Sequence, residues 1–114
     1  MLCTLSSYGD RRQWLIQSRT HLMRIAGNSM YPKYCNGDVV AVQLINNHNY
    51  VHLGSAHIIV LDEQVFIKFL RKGNTQEEWM LFPLNTEQFD PFPVKKSDVL
   101  KLFIVRGTVR LDEL

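Results

Sequence analysis

The stretch Ile25-Ala26-Gly27-Asn28-Ser29-Met30-Tyr31-Pro32, followed by Asn36-Gly37-Asp38, decides how this chain folds. The apolar runs on either side of it, Leu22–Ala26 and Asp38–Leu44, predict two strands. Residues 28–37 carry Asn, Pro and Gly, which predicts a tight turn between these strands. A serine at such a junction can present its hydroxyl and nearby backbone N–H groups to one point, as an acyl-transfer nucleophile requires. The alternative for Ser29 is an ordinary capping serine in a turn.

A second unusual residue, Lys68, lies inside the apolar run Val65-Phe66-Ile67-Lys68-Phe69-Leu70. Because side chains alternate along a strand, both faces of this segment are apolar and Lys68 has apolar neighbours. Burial disfavours the ammonium form, so we expect the pKa of Lys68 to fall. A neutral amine can then accept the proton of a serine hydroxyl. The alternative is an edge-strand lysine whose stem packs and whose ammonium reaches water.

The rest of the chain also favours strands over helices. The class is therefore mainly β with little helix, either a small barrel or a pair of packed sheets. Prolines 83, 91 and 93 predict an irregular stretch. The further predicted strands are His57–Leu61, Gln64–Leu70, a strand near Glu78–Leu84, and a long final strand Val99–Leu111 with a bend at Gly107.

Two regions are predicted from this pattern: an N-terminal segment, 1–21, and one domain, 22–114. Within the first, Gln13–Gln17 is compatible with a short strand or a helical turn. The length of 114 residues and the apolar fraction of 46% are typical of one globular domain. A membrane helix over the uncharged run Val39–Leu61 is rejected, because its Asn, Gln and His side chains would be unpaired in lipid.

Charge and cysteine content argue against several classes of function. The net charge of +2 does not indicate nucleic-acid binding driven by bulk charge. Two cysteines, Cys3 and Cys35, do not make a disulfide framework, which favours a reduced cytoplasmic setting. Neither a signal peptide nor a helix-turn-helix is recognisable in the sequence.

Weaker hypotheses concern metals, nucleic acids and a dimer. His48, His52, His57 and Cys35 are residue types that bind zinc, but the first two lie in an Asn-rich loop and a solvated loop is favoured. Basic pairs with Trp14 and Trp79 would suit a β-barrel nucleic-acid surface, although core packing is favoured for these aromatics. An arm with Phe89 and Phe92 would suit a dimer interface.

Ser29 and Lys68 together resemble the LexA-like peptidases, which include LexA, the UmuD proteins and the C-terminal domains of phage repressors. The family's pattern is Gly-Asp-Ser-Met-x-Pro, then Gly-Asp and an apolar strand, then a lysine in a strand some forty residues later. Here Lys68 follows Ser29 by 39 residues. Leu84-Asn85 with Phe89, and the closing run 105–109, also resemble the family. Asn28 and Asn85-Thr86 stand where the family usually has Asp and Asn-Pro.

The resemblance implies a site without metal or cofactor. It makes Ser29 the nucleophile and Lys68 the general base, and it implies that the backbone N–H groups of Ser29 and a neighbour bind the oxyanion. The supporting residues would be Asn28, Met30, Pro32 and Asp38, with Met30 and Pro32 shaping the turn and Asp38 bonding its backbone.

The resemblance also implies the regulatory domain of a bacterial or phage repressor that cleaves itself in cis, often at Ala-Gly. The only Ala-Gly, Ala26-Gly27, immediately precedes the nucleophile and is not expected to reach it. Two hypotheses follow. The chain is a piece of a longer repressor whose helix-turn-helix binds DNA, or it is a catalytically silent dimerisation and sensing domain. The implied partners are a second copy, as a homodimer, and a recombinase filament as inducer.

Overall fold

The computed structural model describes residues 3–7 and 20–109. Within them the chain forms eight antiparallel strands of one sheet, and no α-helix. The mainly β prediction is confirmed. A single 3-10 turn, Lys96–Asp98, precedes the last strand. The strands are β1 Cys3–Ser7, β2 Thr20–Ile25, β3 Val39–Leu44, β4 Ala56–Val60, β5 Val65–Lys72, β6 Glu78–Phe82, β7 Phe92–Lys95 and β8 Lys101–Val109.

The last strand, β8, holds the two halves of the sheet together. The spatial order is β1-β2-β3-β8-β4-β5-β6-β7, so β8 pairs with β3 on one side and with β4 on the other. The sheet is not closed into a barrel. The register between β3 and β8 shifts between Ala41 and Val42, where Gly107 and Val105 are their successive partners. This bulge coincides with the bend that the sequence predicts at Gly107.

Two apolar cores cover the two faces of this sheet. Consecutive residues Ile58 and Ile59 are both fully buried, and they belong to different cores because neighbouring side chains point to opposite faces. This double burial explains why the middle strands are apolar on both faces. The first core contains Met23, Ile25, Met30, Tyr34, Val40, Val42, Ala56, Ile58, Ile67 and Phe103. The second contains Ile59, Leu70, Trp79, Leu81, Val94, Val99 and Leu102.

Two strands, β1 and β7, were not predicted. The prolines predict an irregular stretch after Pro83, but β7 contains Pro93 and pairs with β6. A proline is tolerated here because β7 is an edge strand and pairs with β6 on one side. On the other side no neighbouring strand requires a backbone N–H donor, which proline lacks. The prolines therefore shorten the strands in this region without abolishing them.

The hairpin between β4 and β5 places Lys68 at mid-sheet. A backbone hydrogen bond of 2.8 Å from Leu61 N to Gln64 O closes the turn, which contains no glycine. At the next turn, a Cβ on Gly73 would overlap the backbone of Glu78, so only glycine fits there. The strands predicted on both sides of these turns are present.

The first 21 residues contribute at least one strand. β1 pairs with β2 along its whole length. The possible strand or turn at Gln13–Gln17 lies outside the described residues. Val39–Leu61 forms β3, a loop and β4, and no helix in the described ranges is long and apolar enough to cross a membrane.

Candidate active site

The turn that carries Ser29 is tied to the ends of two strands. Ile25 N donates to Asp38 O at 2.8 Å, and Gly37 N donates to Ile25 O at 2.7 Å. Within the turn, Gly27 has a φ of 104°, a conformation that strongly favours glycine, and its N–H donates to Asn36 Oδ1 at 2.9 Å. The turn is therefore closed by its own backbone and by a local side chain.

Met30 anchors the turn to the protein interior. Its side chain is fully buried in the first core, and its carbonyl accepts a 2.9 Å hydrogen bond from Tyr34 N. Pro32 follows a cis peptide bond in the same turn. Met30 and Pro32, which are predicted to shape the turn, both lie within it. The neighbouring Ser29 is buried as well, with 1% of its surface exposed.

Asp38 bonds the backbone of this turn. Its carboxylate oxygen Oδ2 accepts a 2.8 Å hydrogen bond from Cys35 N, and the side chain is buried. The supporting role predicted for Asp38, bonding the turn backbone, therefore has a defined contact.

We expect Asp38→Ala to destabilise the fold by about 1–3 kcal/mol, because the Cys35 N–H loses its acceptor in a partly buried site. Urea unfolding measures this change. Asp62→Ala, at an exposed position, is the matched control, with an expected change within about 0.5 kcal/mol. Equal effects of the two substitutions would contradict the role given to Asp38.

Lys68 approaches Ser29 from the neighbouring strand β5. Lys68 Nζ lies 2.8 Å from Ser29 Oγ, and the lysine is 4% exposed. The structure thus brings together the two residues that the sequence predicts as nucleophile and base. The distance is within the range over which a base can take a hydroxyl proton.

Two backbone donors adjoin the Ser29 hydroxyl. Neither the Ser29 N–H nor the Met30 N–H donates to an acceptor within the described part of the chain. Because the turn is fixed at both ends, these two N–H groups can donate hydrogen bonds to an oxyanion that forms beside Ser29.

An apolar cavity of about 270 Å³ opens beside the two residues. Phe66 and Phe92 form one wall, with ring centroids 5.1 Å apart in an edge-on arrangement. Lys68 Nζ lies 5.3 Å from the Phe66 centroid and 5.9 Å from that of Phe89. Aromatic faces attract a cation, so they favour the ammonium of Lys68 whenever it forms. The remaining lining residues are Gly27, Asn28, Ser29 and Asp90.

Asn85 holds the segment before Phe89 against the Ser29 turn. Its backbone N–H donates to Ser29 O at 2.9 Å, and its Nδ2 donates to Asn28 O at 3.1 Å. The backbone of Asn28, rather than its side chain, therefore makes the contacts described here. The bonding role of Asn85 was not predicted, although it belongs to the stretch Leu84-Asn85 that resembles the LexA-like pattern.

A protein-family model described as Peptidase S24-like matches residues 6–109. The chain belongs to the peptidase S24-like family. The LexA-like resemblance is thereby confirmed, because this family is that of LexA, UmuD and the phage repressor C-terminal domains. The matched residues include both Ser29 and Lys68. The chain matches no curated protein.

The burial of one titratable residue of this S24-like domain, His57, was not predicted. His57 is 0% exposed within β4, and its Nδ1 lies 2.8 Å from Ser55 O. Desolvation lowers the pKa of His57, an effect opposed by the Ser55 hydrogen bond and reinforced by His52. Only the alternation of β4, which directs His57 to the second-core face, would have revealed its burial.

The stability of the domain is expected to decrease below a pH of about 6.5, the ordinary pKa of histidine. The pKa of His57 is lower in the folded than in the unfolded chain, so the unfolded chain binds more protons as the pH falls. The loss ends once the pH is below the folded-state value. Urea unfolding at pH 7.5 and 5.0 measures the free energy of unfolding at each pH. The difference between the two values should be smaller in His57→Leu and unchanged in His52→Gln. Equal pH dependence of wild type and His57→Leu would contradict this assignment.

The zinc hypothesis gains no support from the arrangement of these histidines. His57 lies in a strand, while the His48 ring is 6.2 Å from that of Trp79. Among the described residues, no three His, Cys, Asp or Glu side chains are placed to hold a metal ion. Cys35, also weighed as a ligand, lies with its Sγ 3.4 Å from Pro32 O.

Proposed function

We propose that this S24-like domain is a serine–lysine peptidase, the C-terminal regulatory domain of a bacterial or phage repressor that cuts its own polypeptide. The observation that carries the proposal is the buried 2.8 Å contact between Lys68 Nζ and Ser29 Oγ. A structural lysine gains little from a buried position beside a hydroxyl, because desolvation penalises its charge. A general base benefits from the same burial.

In the proposed mechanism, the neutral Lys68 amine takes the Ser29 proton as Oγ attacks the carbonyl carbon of the scissile peptide. The backbone N–H groups of Ser29 and Met30 stabilise the oxyanion of the tetrahedral intermediate. Collapse breaks the C–N bond, and the Lys68 ammonium returns the proton to the departing amine. Water then hydrolyses the acyl-serine with Lys68 as base, which releases the acid and restores Ser29. These steps draw on no metal or cofactor.

We propose that the substrate is a segment preceding this domain in the same polypeptide. The Ala26-Gly27 bond is a poor substrate because Gly27 is fixed by Asn36 in the turn that carries the nucleophile. By resemblance, the repressor would bind DNA through an upstream helix-turn-helix and respond, in the cytoplasm, to a recombinase filament.

The test is incubation of the natural full-length gene product at pH 7 and pH 10, followed by mass spectrometry of the fragments. We expect cleavage before residue 20, faster at the higher pH because more Lys68 is neutral. Ser29→Ala should leave the chain intact. Cleavage at an equal rate in Ser29→Ala would refute the proposal.

A second candidate is a catalytically silent dimerisation and sensing domain. Large apolar side chains of Tyr50, Leu53 and Leu100 are exposed by 77%, 52% and 60%. Exposed apolar side chains of this kind are available to a second copy. This candidate predicts a dimer in sedimentation and no reaction at Ser29, whereas the peptidase predicts reaction at Ser29 in any oligomeric state.

A further inference from the structure

His57 and Lys68 are direct cross-strand partners. The antiparallel register of β4 and β5 pairs these two residues. Both side chains point to the second-core face, because Ile59, Phe66 and Leu70 of the same strands pack there. Directly opposite residues have Cβ atoms about 4.5–5.5 Å apart, so the two side chains run side by side. On its other flank, His57 pairs with Ile104, which has no charge.

The hydrogen bonding of His57 determines which ring nitrogen carries the proton. The Ser55 carbonyl can only accept, so Nδ1 must be the donor in the 2.8 Å contact. In the neutral ring Nε2 is then an acceptor. Nε2 is buried and has no hydrogen-bond partner in the described part of the chain. Most buried polar atoms have a partner, so an unpaired acceptor here calls for an explanation.

We propose that His57 is a positioning residue whose Nε2 accepts a hydrogen bond from the Lys68 ammonium that forms when Ser29 attacks the peptide. The inference rests on the proposed peptidase function and adds to it a residue outside the Ser–Lys pair. The proton that leaves Ser29 Oγ resides on Lys68 Nζ, and no proton is transferred to His57. Nδ1–H remains bonded to Ser55 throughout.

The reaction itself creates the need for this acceptor. In the resting state Lys68 Nζ is bonded to Ser29 Oγ. Attack on the peptide converts that oxygen to an ether-type oxygen of the tetrahedral intermediate, a poorer acceptor, while Lys68 carries the proton. Hydrogen bonds to charged groups are stronger than those between neutral groups, so a further acceptor stabilises the buried ammonium. A neutral His57 supplies a lone pair without adding a competing charge.

The titratable side chains of the described residues near this pair include Asp90 and His52. Asp90 lies at the mouth of the cavity beside Lys68, and His52 lies in the loop before β4. His52 is exposed, and water therefore screens its charge. His57 therefore places a buried acceptor, unused by any described group, on the strand next to Lys68.

The test measures the Lys68 titration directly in a Ser29→Ala background, by NMR of lysine labelled with 13C at Cε. We expect the midpoint to move to lower pH in His57→Leu, because the ammonium loses an acceptor. It should return towards the original value in His57→Gln, whose amide oxygen can accept. His52→Gln is the histidine control and should leave the midpoint unchanged. An amide correlation spectrum of each variant establishes that it is folded.

The second measurement is phosphonylation of Ser29 by an alkyl fluorophosphonate, followed by mass spectrometry. With Ser29 present, His57→Leu should react about ten- to hundredfold more slowly, the fold-change equivalent to one hydrogen bond to a charged group. Part of this rate should be recovered in His57→Gln. Equal losses in the two His57 variants, with no shift of the Lys68 midpoint, would mean that His57 only packs, and would overturn the inference.

These two readouts separate the inference from the proposed function. If Ser29 never reacts in the wild-type chain but the Lys68 midpoint shifts in His57→Leu, the peptidase proposal fails while the contact between His57 and Lys68 stands. If Ser29 reacts, requires Lys68 and is indifferent to His57→Leu, the peptidase proposal stands and the inference about His57 is wrong.

Discussion

Replacing Lys68 with Met is expected to slow phosphonylation of Ser29 by about a thousandfold, within the range for loss of a general base. Methionine keeps the length and apolar character of the lysine stem but has no amine to take the hydroxyl proton. The side chain is 4% exposed and Nζ is 2.8 Å from Ser29 Oγ, so water has little room to act in its place. Ser29→Ala should abolish labelling altogether.

The measurement is the labelling rate constant by mass spectrometry between pH 6 and 10. In the wild-type chain the rate should rise with pH as Lys68 loses its proton, and Lys68→Met should lose that component of the profile. Lys72→Met is the matched control, since Lys72 lies on β5 but is exposed, and we expect its rate to equal that of wild type. Labelling of Ser29 at the wild-type rate in Lys68→Met would rule out Lys68 as the general base.

Trp79→Ala is expected to destabilise the domain by about 3–5 kcal/mol, the usual effect of removing a buried aromatic side chain. Trp79 is 3% exposed in the second core, and Lys96 Nζ lies 5.2 Å from its ring centroid. An alanine leaves a cavity between β6 and its neighbours that the sheet cannot collapse to fill. Since a domain of this size is stabilised by about 5–15 kcal/mol, the variant should be close to unfolding at 37 °C.

Urea unfolding monitored by circular dichroism measures this loss. Tyr50→Ala, which removes an aromatic side chain exposed by 77%, is the control and should change stability by less than about 0.5 kcal/mol. A small effect of Trp79→Ala would mean that the ring is not part of the core. The burial of Trp79 also counts against its use as a stacking platform, because bases stack only on accessible rings.

The sequence predicted most of the strands and singled out Ser29 and Lys68, because strand patterns and departures from them are both local. β-branched runs and turn residues mark β2 to β6 along the chain. Ser29 and Lys68 stand out because each breaks the pattern of its own segment. β7 was missed because Pro93 is a local signal against a strand. A proline fits in β7 because this strand lies at the sheet edge, which the local sequence does not reveal.

The amino-acid sequence by itself determined that this chain is mainly β, that a turn presents Ser29, and that Lys68 is surrounded by apolar residues. Only the tertiary structure decided that the two meet, that Asn85 is bonded to the turn, and that His57 lies beside Lys68 with a buried acceptor. The physical reason is that side-chain periodicity and turn chemistry act over a few residues. Strand order and register, which join residues far apart in the chain, are set by the packing of both faces of the sheet.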